Sequence, residues 1–112
     1  MIGIIRDNQN RILLLKHTYR PDPLALPSGF IKKGETPFDA LKRELKEETN
    51  FEIITQSILN VLSSKTNSHI EFIISAIYKS GEFIPNNEVS SYSWVSESEI
   101  QNTIDKLTTN CY

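Results

Sequence analysis

Three carboxylates, Glu44, Glu47 and Glu48, crowd one short Lys/Glu-rich stretch of the chain. On a helix turning 100° per residue, with Glu44 at 0°, Glu47 falls at about 300° and Glu48 at about 40°. All three then share one arc about 100° wide. Leu41, Leu45 and Phe38 lie beside that arc, while Lys42 and Lys46 point away from it. Burying the apolar stripe brings the carboxylates to the rim of the packed face, where like charges repel and partial burial raises the cost. A helix standing alone would gain more from Glu–Lys pairs. A hard divalent cation removes the conflict: Mg²⁺, with Mn²⁺ as a substitute, takes carboxylate oxygens and keeps several waters. The bland alternative is a charged, solvated helix face.

The elements that must hold these residues are readable. Thr36 is placed to cap a helix over Pro37–Thr49, with Pro37 at its first position and Asn50 as a left-handed stop. Two apolar runs at 2–6 and 11–17 flank the turn cluster Asp7-Asn8-Gln9-Asn10 and predict a β-hairpin. The unbroken run from Ile12 to Leu15 suggests a strand covered on both faces. Residues 18–36 carry Pro21, Pro23 and Pro27 and read as a long functional loop. Within it, Gly29 and Gly34 frame a short strand at 30–33. Further strands are expected at 53–62, 70–78 and 92–95. In the second of these, Ile70, Phe72, Ile74, Ala76 and Tyr78 alternate onto one face. Ser96 and Glu99 form a capping box for a last helix with Ile100, Ile104 and Leu107 as its stripe. Strands mixed with two helices predict one α/β domain over 1–112, a mixed sheet with helices on its faces.

Composition agrees with such a domain. The chain has 112 residues, and Leu, Ile, Val and Phe supply about 29% of them, enough for one core. Twelve basic against 14 acidic residues leave a net charge of −2, which does not suit a stable nucleic-acid complex or a polybasic membrane contact. The single cysteine, Cys111, allows neither an internal disulfide nor a cysteine metal site, and fits a cytoplasmic setting. No apolar run approaches the ~20 residues of a membrane helix, and no signal peptide is expected.

Across the helix the spacing runs Gly29, five residues, Glu35, seven residues, then Arg43-Glu44-Leu45-Lys46-Glu47-Glu48-Thr49-Asn50-Phe51. This resembles the Nudix box, Gly-x5-Glu-x7-Arg-Glu-U-x-Glu-Glu-x-Gly-U, with U a bulky aliphatic. Gly29, Glu35, Arg43, Glu44, Leu45, Glu47 and Glu48 match in place, and Leu26-Pro27-Ser28 resembles the usual approach. Asn50 stands where the family has glycine, and Phe51 where it has an aliphatic. Family members usually carry more residues before the strand at Ile2; a missing edge strand there would weaken the sheet, expose a pairing edge or be made good by a partner chain.

The resemblance implies a Nudix-like α/β/α sandwich and a Mg²⁺-dependent hydrolase that cleaves a pyrophosphate bond in a nucleoside diphosphate linked to another group. It implies Glu44 and Glu48 as metal ligands and Glu47 as a third ligand or the base. Arg43 would orient Glu47, or pair with Asp39. Glu35 would support the helix start or the outer metal shell, and Gly29 would let the chain approach metal or phosphate. Glu88 is a loop carboxylate of the kind that serves relatives as base or extra ligand. Arg20 could meet a phosphate and Tyr19 stack on a base. His17 and His69 read as structural and Trp94 as core. Thr66 and Asn67 occupy the zone of the subfamily substrate markers and match neither marker, leaving the small nucleotide substrate open. Alternatives are an RNA 5′-end pyrophosphohydrolase and a non-catalytic nucleotide-binding module. A monomer or homodimer is expected.

Overall fold

The computed structural model describes residues 1–19, 21, 24–63 and 69–109, the side chains of 106, 107 and 109 excepted. Arg20, Thr66, Asn67 and Cys111 lie outside the described residues, as does the side chain of Leu107. In chain order the elements are β1 (Ile2–Arg6), β2 (Arg11–His17), α1 (Pro37–Thr49), β3 (Glu52–Ser63), β4 (Ile70–Ser80), β5 (Val89–Ser96) and α2 (Glu97–Thr109).

The β1–β2 hairpin forms as the turn cluster predicts. Asp7 Oδ1 accepts the N–H groups of Gln9 and Arg11 at 3.0 and 2.8 Å, and Asn10 takes the left-handed conformation at φ 61°. The five strands form one sheet in the order β3-β4-β1-β2-β5. Only β1 and β4 run parallel; the other pairs are antiparallel. The strand starting at Ile2 is therefore central, and the edges are β3 and β5.

Ile12, Leu13, Leu14 and Leu15 are all buried, because both faces of the sheet are covered. On one face α1 lays Ala40, Leu41 and Leu45 over Ile5, Leu13, Leu15, Ile74 and Ala76. On the other, Ile104 of α2 joins Ile4, Ile12 and Ile73. This is the expected α/β/α arrangement on a mixed sheet.

Some expectations are corrected. No strand forms at 30–33. The backbone there finds other partners: the Lys32 N–H goes to the Glu35 carboxylate at 2.8 Å and the Phe30 carbonyl accepts from Arg43 at 3.1 Å. The loop touches the sheet earlier, through isolated bridges Leu15–Ala25 and Ile2–Ser28. Ile70, expected on the apolar face of β4, is exposed at the strand's start. Ser96 meets Glu99 side chain to side chain at 3.0 Å rather than through a reciprocal backbone box, and α2 is kinked at Ile100. Strand β3 shifts register against β4 at three places, two of them beside Gln56 and Leu59.

Candidate active site

Helix α1 is fixed at both ends by the residues that predict it. Thr36 accepts the Asp39 N–H at 3.1 Å, and Pro37 opens the first turn. Asn50 sits at φ 67°, ψ 13°, the left-handed position, and its N–H closes on the Lys46 carbonyl. Its side chain also works: Nδ2 donates to the Glu82 carbonyl at 3.1 Å, drawing the β4–β5 loop onto the helix end. Gly81 fits there at φ 107°, since a Cβ would lie 2.4 Å from the Asn50 carbonyl oxygen.

The three helix carboxylates have unlike surroundings. Glu48 is 3% exposed and meets His17 Nε2 at 3.0 Å, with both side chains buried. The role of His17 is structural, as its sequence context suggests: it braces a box carboxylate across the fold. Glu44 lies against Gly29, where an added Cβ would come within 2.6 Å of the Glu44 Cδ. The box glycine is thus needed for close approach, not for an unusual φ. Glu47 points outward, its side chain 54% exposed.

Arg43 is the hub beside them. Its Nε and one NH group donate to Glu35 at 2.7 and 3.0 Å, and the other reaches Glu44 at 3.0 Å. Glu47 is a distant fourth contact at 3.5 Å. Arg43 therefore braces Glu35 and Glu44 more than Glu47, and Asp39 instead takes part in the helix cap. The Arg43 fork, then the Lys32 N–H, lower the Glu35 pKa from 4.5 to about 2. Glu35 in turn raises the Arg43 pKa.

Glu44 and Glu48 open onto a cleft of about 310 Å³, shared with Glu88 and with Glu71. Tyr19 and Phe30 also line it and are 63% and 80% exposed. Glu47 is not among the lining residues. Glu71 is braced by His69 Nε2 at 3.0 Å. Phe30 and Glu71 carry no signal of this placement in the sequence, since only the fold brings them to the cleft beside Glu44 and Glu48.

The donor set suits a hard cation: carboxylate oxygens predominate in one cleft. Among the described residues, however, no three His, Cys, Asp or Glu stand close enough to form a ready cage. Glu44 and Glu48 are the pair in the cleft whose oxygens could serve such a cation, with water completing its shell.

The profile of the NUDIX domain matches residues 1–110. The chain belongs to the NUDIX family. A NUDIX relative, the ADP-ribose pyrophosphatase of Methanocaldococcus jannaschii, is 40% identical over 78 residues, covering 68% of this chain and 46% of that protein. The mRNA-decapping enzyme subunit 2 of Saccharomyces cerevisiae is 29% identical over 98% of this chain but only 12% of its own length. This NUDIX chain thus spans less than half the length of either curated relative. Among solved structures, an ADP-ribose pyrophosphatase from Streptococcus suis superposes with TM-score 0.74 at 23% identity, covering 87% of this chain and 72% of that one. The fold is the NUDIX fold. Among the described residues no helix is long and apolar enough to cross a membrane.

Proposed function

We propose that this chain is a Mg²⁺-dependent pyrophosphohydrolase acting on a nucleoside diphosphate linked to another group. The observation that carries the reading is the meeting of Glu44, Glu48 and Glu88 in one cleft flanked by two exposed aromatic rings. Membership of the NUDIX family supports it, as does the curated relative named ADP-ribose pyrophosphatase.

Glu44 and Glu48 are the residues that would hold the cation. When bound, it supplies charge neutralisation at the phosphates and a lower pKa for coordinated water. His17 and Arg43 hold those two carboxylates in fixed positions, so little reorganisation is needed on binding. Glu88 takes the proton of the water whose oxygen bonds to phosphorus, and the P–O bond to the bridging oxygen breaks, releasing a nucleotide and the phosphate that carries the linked group. Glu47, outside the cleft lining, bears on the site through Arg43, which it meets at 3.5 Å. Tyr19 and Phe30 offer ring faces to the nucleobase.

A hydrolysis panel tests this: NTPs, nucleotide sugars, ADP-ribose, CDP-alcohols, dinucleoside polyphosphates and capped RNA, each with Mg²⁺ and with Mn²⁺. Cleavage of a small nucleotide that Glu44→Gln lowers at least about a hundredfold is the expected result. Cleavage of capped RNA alone would favour the RNA 5′-end reading. Nucleotide binding without turnover would make the chain a binding module.

A further inference from the structure

We propose that Asn86 is a positioning residue that sets the reach of Glu88 by fastening its loop to the main chain of Glu48. The inference rests on the hydrolase reading, in which Glu88 acts in the cleft.

Residues 81–88 join β4 to β5 without regular structure, so their backbone groups need partners from elsewhere. The Asn86 side chain supplies several at once. Its Oδ1 accepts the N–H groups of Glu88 and Val89, both at 2.9 Å. Its Nδ2 donates to the Glu48 carbonyl at 2.8 Å and to the Ile84 carbonyl at 3.2 Å. Two donors and two acceptor sites are all the hydrogen-bonding capacity an amide has.

The Glu48 carbonyl lies in the last turn of α1, where carbonyls lack a helical donor. Asn86 fills that vacancy. A single side chain thereby links the main chain of Glu48 to that of Glu88, through bonds of 2.8 and 2.9 Å. From the other side, the Thr18 N–H donates to the Glu88 carbonyl at 2.9 Å, and the Thr18 hydroxyl bonds the Asn87 carbonyl. Both backbone groups of Glu88 are therefore held, one through α1 and one by the chain leaving β2. Only its side-chain torsions remain to aim the carboxylate into the cleft that Glu48 also lines. Aspartate could still accept the two N–H groups and keep the turn, but it has no donor for the Glu48 carbonyl.

That difference gives the test. Asn86→Asp should lower kcat about 10- to 100-fold, since small misplacements cost that much, while KM stays within about threefold. In a Glu88→Gln background the same change should cost less than about twofold, because the group being positioned is already gone. Asn86→Ser, which keeps a hydroxyl for the turn without the reach to Glu48, should behave alike. Activity is scored per folded molecule, with the folded fraction taken from thermal melts. Hydrogen exchange should quicken at 82–89 in both Asn86 variants and stay unchanged in Glu88→Gln. Full kcat in Asn86→Asp, or losses that simply multiply with Glu88→Gln, would overturn the proposal. If Glu88→Gln is fully active while Glu44→Gln is dead, the hydrolase reading stands and this role falls. A wild type inert on the whole panel overturns both.

Discussion

Gly29 shows how a residue without a side chain can shape the cleft around a carboxylate. Its backbone lies so close to Glu44 that a methyl group would sit 2.6 Å from the carboxylate carbon. The Glu44 carboxylate can turn aside only by giving up its bond to Arg43, a partly exposed pair that is worth little to folding. Gly29→Ala should therefore melt within a few degrees of wild type yet lose about 10- to 100-fold in kcat. Thermal melts and steady-state kinetics on the same preparation check this. Glu35 shows the opposite balance, structure before chemistry. Its folded pKa, about 2, lies below the ordinary 4.5 because Arg43 and the Lys32 N–H favour the charged form. A depressed carboxylate stabilises the fold above its unfolded pKa, and that contribution is lost as pH falls from about 4.5 toward 2. Glu35→Gln should be less stable than wild type at neutral pH, with the gap closing through that window. Denaturant melts at pH 7, 4 and 2.5 decide it; a gap independent of pH would rule out the ion pair as its source.

At the scale of elements, helix α1 is legible because its signals are local. Thr36, Pro37 and Asn50 announce its ends through backbone chemistry that needs no tertiary partner. The strand expected at 30–33 does not form because side chains satisfy its polar groups: Glu35, three residues on, accepts the Lys32 N–H, and Arg43, from the helix, donates to the Phe30 carbonyl. His17 with Glu48, and Asn86 with Glu48, are separated by 31 and 38 residues. No spacing rule pairs them, because the pairing is decided by strand order. The Asn50 departure is likewise more than a tolerated glycine substitute. Asn50→Gly relieves the left-handed backbone but loses the bond to the Glu82 carbonyl and frees the unfolded chain, so stability should stay within about 1 kcal/mol of wild type. Asn50→Val keeps the strain and loses the bond, and should cost about 2 kcal/mol. Urea melts of the three proteins test the order.

For the whole molecule, the central feature is that α1 covers one face of the sheet while two of its carboxylates, Glu44 and Glu48, open into a cleft completed by residues from other strands and loops. Ligands bound there should stabilise the entire fold. Millimolar Mg²⁺ or Mn²⁺ with a non-hydrolysed nucleotide should raise the Tm, by an amount that corresponds to about 1.4 kcal/mol at ten times Kd. Glu48→Gln should shrink that shift. An unchanged Tm in every combination would mean that the cleft does not take these ligands.

The register shifts of β3 have a consequence for how the protein behaves among its own copies. This edge strand exposes Ile54, Ile58, Leu59 and Val61, the composition that invites a neighbouring molecule to extend the sheet. The extra residues at Gln56 and Leu59 interrupt its ladder, so a stranger meets a twisted, broken margin. Deleting both would leave Thr55 beside Ser57 and Ile58 beside Asn60, each still opposite its present partner in β4. The straightened margin should self-associate, seen as light scattering that climbs with concentration where the parent's stays flat. What looks like irregularity in one strand is, on this view, colloidal protection.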